Sequence, residues 1–463
     1  MTLWQQITLS TIPWSQWRQK SLLGQWIGLI QAWQRGSILW PWVQGLGGAL
    51  AGLILILAPF VPSGMIGVVL LAGVLFWGLW TVSTAPENRF TPIHALVALY
   101  WSIAVVATAF SPVKAAAFQG LIKLSLYMGF FALAERVMRS PKWRSGLITI
   151  YLLTALVVSI YGVRQWIFGA DALATWTDPQ SELANTTRVY SYLGNPNLLA
   201  GYLLPAIPLS LAAVFAWRGW LPKLLGGVML GLNTSSLIFT FSRGGWLGLV
   251  VSLSTLSLLL LYWLLPRLPR IWQFWAFPAL LGGLAVLVVA AIILVPAIRG
   301  RVLSIFAERS DSSNNFRINV WAAVQEMIRD RPILGIGPGN EAFNKVYPLY
   351  QRPGFTALSA YSIFLELLVE AGAIGFAAFV WFLLTTLTRG WQTLNHLREM
   401  RHPDGFWLMA ALATMLGMLT HGLVDTIWYR PEVATLWWLM IAVVASYPAF
   451  SQARPLTNPD AEV

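Results

Sequence analysis

The sequence predicts an all-α fold, a polytopic membrane helix bundle, and three observations carry that prediction. The 463 residues are 57% hydrophobic and only 10% charged, with 26 Trp and a mean hydropathy of +0.65; an ordinary soluble domain is about 25% charged. Apolar runs of about 18 to 25 residues, enough to cross about 30 Å of hydrocarbon, recur along the chain. Basic residues concentrate in alternate connections between those runs. A formal net charge of +12 would also suit a nucleic-acid binder, but the basic residues are scattered and form no Lys/Arg-dense segment, so no nucleic-acid partner is implied. The partner implied is the lipid bilayer. Cysteine is absent, which excludes disulfides and thiolate metal sites.

In chain order, residues 1–41 read as a cytoplasmic N-terminal segment. Pro13, Trp14, Trp17, Arg18 and Lys20 break up any apolar core, so this is not read as a cleavable signal. Leu22, Leu23, Trp26, Ile27, Ile30 and Trp33 then recur at helical spacing with Gln25, Gln31 and Gln34 elsewhere, the pattern of an interfacial amphipathic helix. Residues 42–450 form one membrane domain of about 12 transmembrane helices. Spans are expected near 42–60, 62–82, 93–110, 113–134, 145–166, 197–217, 222–241, 244–265, 275–298, 359–387, 406–424 and 432–450. Pro59, Pro62 and Pro112 mark tight breaks at the first and third connections, since proline ends a helix and forms the turn. The boundary at 241–244 carries the weakest signal. The short polar tail, 451–463, is expected to be disordered.

Charge sets the expected topology. Even-numbered connections hold Arg89; Arg136, Arg139, Lys142 and Arg144; Arg218 and Lys223; Arg267 and Arg270; and Arg389, Arg398 and Arg401. With Arg18, Lys20 and Arg35 at the start, the positive-inside rule puts both termini in the cytoplasm; the membrane expected is the cell's inner (plasma) membrane. The large loop 299–358, between spans 9 and 10, then faces outward with short surface helices, because the rule weakens for segments of about 60 residues. The connection 167–196 faces the same way.

Four candidate sites fall on that side. In Gly194-Asn195-Pro196-Asn197, Asn197 can cap the following span while the proline preorganises the turn, and both a plain helix start and a ligand contact fit. Arg243, at the hydrocarbon edge, needs a partner, water or an anion, unless it snorkels to headgroups. In the loop, the run from Phe316 opens a helical pattern with Arg317 in its first turn. A cation there, beside free backbone N–H groups, suits an anion site. Val320, Trp321, Val324, Met327 and Ile328 form an apolar stripe that lies on the membrane or packs on the bundle. That helix ends at Asp330-Arg331-Pro332. The turn Gly335-Ile336-Gly337-Pro338-Gly339-Asn340 either cradles phosphate through its N–H groups or is simply a tight turn; it lacks the P-loop lysine. Finally, His421 and Asp425 stand four apart on one helical face, a possible polar pair within hydrogen-bonding reach. Lys123, Glu366 and Glu370 are intramembrane ionisable groups that each need a partner.

GNPNLLAGYL, FTFSRGGWLG, FRINVWAAVQEMIRDRPILGIGPGN and YSIFLELLVEAGAIG, in that order, resemble the signature of the O-antigen ligase and polymerase superfamily, most strongly over residues 190–385. The wording TPIHALVALYW, SSNNFRINVW and HGLVDTIWYRPE looks most like its IctB branch, cyanobacterial and associated with bicarbonate and inorganic-carbon accumulation. The resemblance implies either a role in bicarbonate transport, or a ligase or polymerase moving a glycan from undecaprenyl diphosphate to an acceptor. It implies no cofactor and no metal. Arg243 and Arg317 match the family's arginine positions, so they are expected to hold the anionic substrate, with Asn195, Asn197, Gly337 and Asn340 as further contacts. Where the family's proposed catalytic histidine is expected, this chain has Tyr361-Ser362. A phenol of ordinary pKa about 10 is a poor base at neutral pH, and loss of a general base costs about 10² to 10⁴ in rate.

Overall fold

The computed structural model describes residues 3–9, 34, 36–38, 40–84, 90–171, 187–303, 309 and 311–447. The amphipathic segment 22–33, Arg89 and the tail 451–463 lie outside them. Among the described residues the chain is helical: α1 (Val43–Leu57), α2 (Ser63–Ser83), α3 (Pro92–Ala109), α4 (Lys114–Met138), α5 (Pro141–Phe168), α6 (Pro196–Leu203), α7 (Ala206–Ala216), α8 (Trp220–Phe239), α9 (Arg243–Leu264), α10 (Arg270–Leu294), α11 (Pro296–Leu303), α12 (Ser312–Asp330), α13 (Asn340–Val346), α14 (Ile363–Glu399), α15 (Asp404–His421) and α16 (Pro431–Ala445).

Helices stand at every expected span. Nine segments among the described residues are long and apolar enough to cross a membrane, counting α6 and α7, joined through Pro205, as one. The remaining three are α8, α15 and α16. At 15 residues, α16 is about 22 Å long, short of a full crossing. The boundary at 241–244 is real: α8 ends at Phe239, the chain turns through Phe241 at φ +51°, and α9 starts at Arg243.

Burial arranges the bundle around α15 and α16. Every residue of α16 is buried, and α15 packs closely on α9 while α16 packs on α4. By contrast α10 buries only Ala276 and sits at the periphery.

The loop folds back onto the bundle and does not lie free. Val320, Val324 and Met327 of α12, Ile336, Phe343 and Tyr347 form a second apolar core with Ala117 of α4 and Val369 of α14. The stripe therefore packs on helices. This loop also explains a break in α14, where Gly372 is non-helical at φ 63°, ψ −168°. The segment 332–337 runs alongside the broken turn: the N–H groups of Ile336 and Gly337 donate to the carbonyls of Val369 and Glu370 at 2.8 and 2.9 Å, and the Ala373 N–H donates to Pro332 O at 2.8 Å. Backbone groups freed by the break are thus satisfied from the loop. A Cβ at Gly372 would sit 2.2 Å from the Ile333 carbonyl carbon, so only glycine permits this approach.

Candidate functional site

Three arginines meet at one end of the bundle, each fixed by a different element. Arg243 is the first residue of α9, whose cap, Ser242, accepts from the Gly245 N–H at 3.2 Å. Its Nη2 donates to Asp311 Oδ1 at 3.0 Å. The same Asp311 oxygen caps α12, accepting from the Asn314 N–H at 2.8 Å, so one carboxylate fastens the loop helix to α9. Arg317 donates from Nε to the Val424 carbonyl at 2.8 Å and from Nη1 to Ser313 Oγ at 2.9 Å. Arg188 donates from Nε to Thr240 O at 3.0 Å and from Nη2 to Asn197 Oδ1 at 3.3 Å. Asn197 in turn hydrogen-bonds the Asp425 carboxylate.

These residues enclose a small polar cavity of about 30 Å³, lined by Arg188, Asn197, Ser242, Arg243, Gly244, Ser313, Arg317, Val424 and Asp425. Three guanidinium groups face two carboxylates, Asp311 and Asp425, so cation is in excess. Burial pulls Arg188 down to about 10, and the neighbouring Arg243 and Arg317 charges add to that. Arg317 is lowered too, again first by burial, with Asp425 opposing. Burial raises the Asp425 carboxyl, with Arg317 pulling the other way. A desolvated cluster of like charges at the start of a long helix favours an anion.

The structure corrects two expectations. Arg317 is not in the first turn of its helix: α12 begins at Ser312, capped by Asp311, because the Asp-Ser-Ser-Asn run is a stronger start signal than the apolar stripe that follows. Arg317 therefore lines the cavity from the second turn of α12, while Ser313 lines it from the first. His421 and Asp425 are not a hydrogen-bonded pair either. Helix α15 ends at His421, so the i,i+4 geometry does not continue to Asp425, and both imidazole nitrogens are buried without a partner.

Of the remaining candidates, Asn195 and not Asn197 is the cap of α6, because the helix already starts at Pro196: the Asn195 Oδ1 accepts from the Asn197 and Leu198 N–H groups at 2.8 and 3.3 Å. Tyr361 stands at φ +49°, its ring edge-on to Phe316 at 5.3 Å. Burial and then Asp425 push its hydroxyl up to about 12. Gly337 and Asn340 are elsewhere. Their turn packs on α4 and α14, where the Gly339 N–H donates to Glu370 Oε1 at 2.7 Å. Asn340 lines a second cavity of about 140 Å³, with Lys123, Glu366, Glu370, Trp428 and Trp437 also in its walls. The ionisable groups there have the partners they need: Lys123 pairs with Glu341 at 3.2 Å, and Glu366 Oε2 accepts from the Ala360 N–H at 2.5 Å and Thr426 Oγ1 at 3.4 Å.

Sequence reasoning missed Arg188, Ser313 and Asp311. Arg188 was visible only as a cation in a connection otherwise poor in positive charge, and nothing in its spacing links it to Arg317, 129 positions on.

Residues 228–380 match the family described as O-Antigen ligase. The match takes in Arg243, Arg317 and Tyr361 and leaves Arg188, Asn197, His421 and Asp425 outside. No curated protein matches the chain.

Proposed function

We propose that this multi-pass helical membrane protein, with its O-antigen ligase segment, binds the diphosphate of a polyprenyl-linked glycan between Arg188, Arg243 and Arg317 and transfers the glycan to an acceptor. The convergence of three desolvated guanidinium groups on one polar cavity carries this reading. Guanidinium forks bind phosphate oxygens bidentately, and held rigidly in a dry site they stabilise the charge that develops on a departing diphosphate. The chemistry asked of them is electrostatic. Tyr361, with its hydroxyl pushed up to about 12, stays protonated at neutral pH and does not serve as the acceptor's base.

In this reading the protein crosses the inner membrane twelve times, α8, α15 and α16 included; the charge pattern supports cytoplasmic termini and an arginine pocket facing outward. The short α16 suits that scheme because it is sheathed on all sides by protein.

One observation favours a second reading. A cavity of about 30 Å³ is nearer the size of one small oxyanion, such as the bicarbonate of the IctB branch, than of a lipid-linked diphosphate. Reconstitution separates the two. Undecaprenyl diphosphate binding that is lost in Arg317→Ala, with no bicarbonate flux under any imposed gradient, is the expected result. Bicarbonate flux that depends on Arg317, with no binding of the lipid, would replace the ligase reading with the transport one.

A further inference from the structure

We infer that His421 is the ligand-responsive member of the arginine pocket: the oxyanion that enters, or water it carries, supplies the hydrogen-bond partner the imidazole lacks. This rests on the pocket being an anion site and goes beyond it by assigning a fourth, uncharged group to that site.

His421 is fully buried, and neither Nδ1 nor Nε2 has a hydrogen-bond partner. A buried imidazole carries one donor and one acceptor when neutral, and leaving both unmet is costly enough that such groups call for an explanation. The ring lies directly behind the pocket wall. A Cβ on Gly244 would sit 2.6 Å from His421 Cδ2, 3.2 Å from its Nε2 and 2.9 Å from Val424 Cγ2, and Gly244 and Val424 both line the cavity. One turn further along α9, a Cβ on Gly248 would meet the Gly417 carbonyl oxygen at 2.7 Å and His421 Cβ at 3.3 Å, so α9 and α15 touch closely there. Gly244 makes the niche that leaves no side chain between the imidazole and the cavity. Arg317 acts on the same ring electrostatically. A histidine placed only to fill space would need neither that niche nor proximity to the guanidinium, and an apolar residue would fill it without orphaned nitrogens.

The chain has four histidines, so its imidazole nitrogens can be followed individually. Histidine-labelled full-length protein in lipid nanodiscs is titrated at constant pH with inorganic pyrophosphate and, separately, with bicarbonate, while binding is measured in parallel by calorimetry. His421→Gln identifies the resonance. The expected result is a saturable shift of the His421 nitrogens that tracks binding of whichever anion the pocket takes, with His94, His396 and His402 unmoved and the shift lost in Arg317→Ala. Arginine-dependent binding with His421 unmoved overturns the inference and leaves the anion site standing. Failure of both anions to bind overturns the anion site and this inference with it.

Discussion

At the scale of single residues, Arg317 does the most. Its Nε and Nη1 reach two acceptors on different elements, the Val424 carbonyl and Ser313. An ammonium is a point charge without that fork, so Arg317→Lys should weaken anion binding, and Arg317→Ala should weaken it about 10- to 100-fold, as loss of a charge-assisted hydrogen bond does. Calorimetry on the two variants checks both. Asp425 gives the site a pH dependence. Burial raises its carboxyl above the ordinary range, with Arg317 partly offsetting this, so the proton is held more tightly in the folded protein. Below the raised pKa the group is neutral and tolerates an anion; as pH rises through it, a negative charge appears beside the pocket and affinity falls. Asp425→Asn should flatten that fall relative to wild type across the pH range above the ordinary carboxylate pKa. An unchanged slope would remove Asp425 from the electrostatics of the site. Tyr361→His should accumulate in membranes like wild type, because the side chain is only partly buried; loss of the variant from the membrane fraction would show the phenol to be structural.

At the scale of elements, the loop is held to the bundle by glycines where two backbones touch. A Cβ on Gly372 would meet the Ile333 carbonyl carbon at 2.2 Å, whereas one on Gly64 meets nothing within 4 Å. Gly372→Ala should cost about 1–3 kcal/mol through overpacking and positive φ and should expose the loop to protease; Gly64→Ala should do neither. Melting in detergent and limited proteolysis compare them. The positions of helices were legible in the sequence because apolar length and proline are local signals. The break in α14 was not, since Gly372, one of two glycines in ELLVEAGAIG, reads as a tolerated residue until segment 332–337 is known to lie against it. The same holds for the site. Arg243 and Arg317 stood out as cations beside apolar runs, but Arg188 joins them only through folding, and the start of α12 was set by Asp311, whose second partner lies on another helix.

At the scale of the whole molecule, the large loop and the arginine pocket occupy one end of the bundle, the end that the proposed topology turns outward. The absence of cysteine makes the assignment easy to check. Cysteine placed at Leu349 in the loop, 81% exposed, and at Met400 between α14 and α15, 61% exposed, should react with an impermeant maleimide from opposite sides, the loop from outside intact cells. Labelling of both from one side would break the topology. The central claim is that three arginines from three elements form one anion site, and titration calorimetry of the nanodisc-embedded protein with inorganic pyrophosphate tests it most directly. The account predicts saturable, salt-sensitive binding that weakens about 10- to 100-fold in Arg188→Ala as well as in Arg317→Ala. Binding that survives both substitutions, or no binding by a folded wild-type protein, would contradict it.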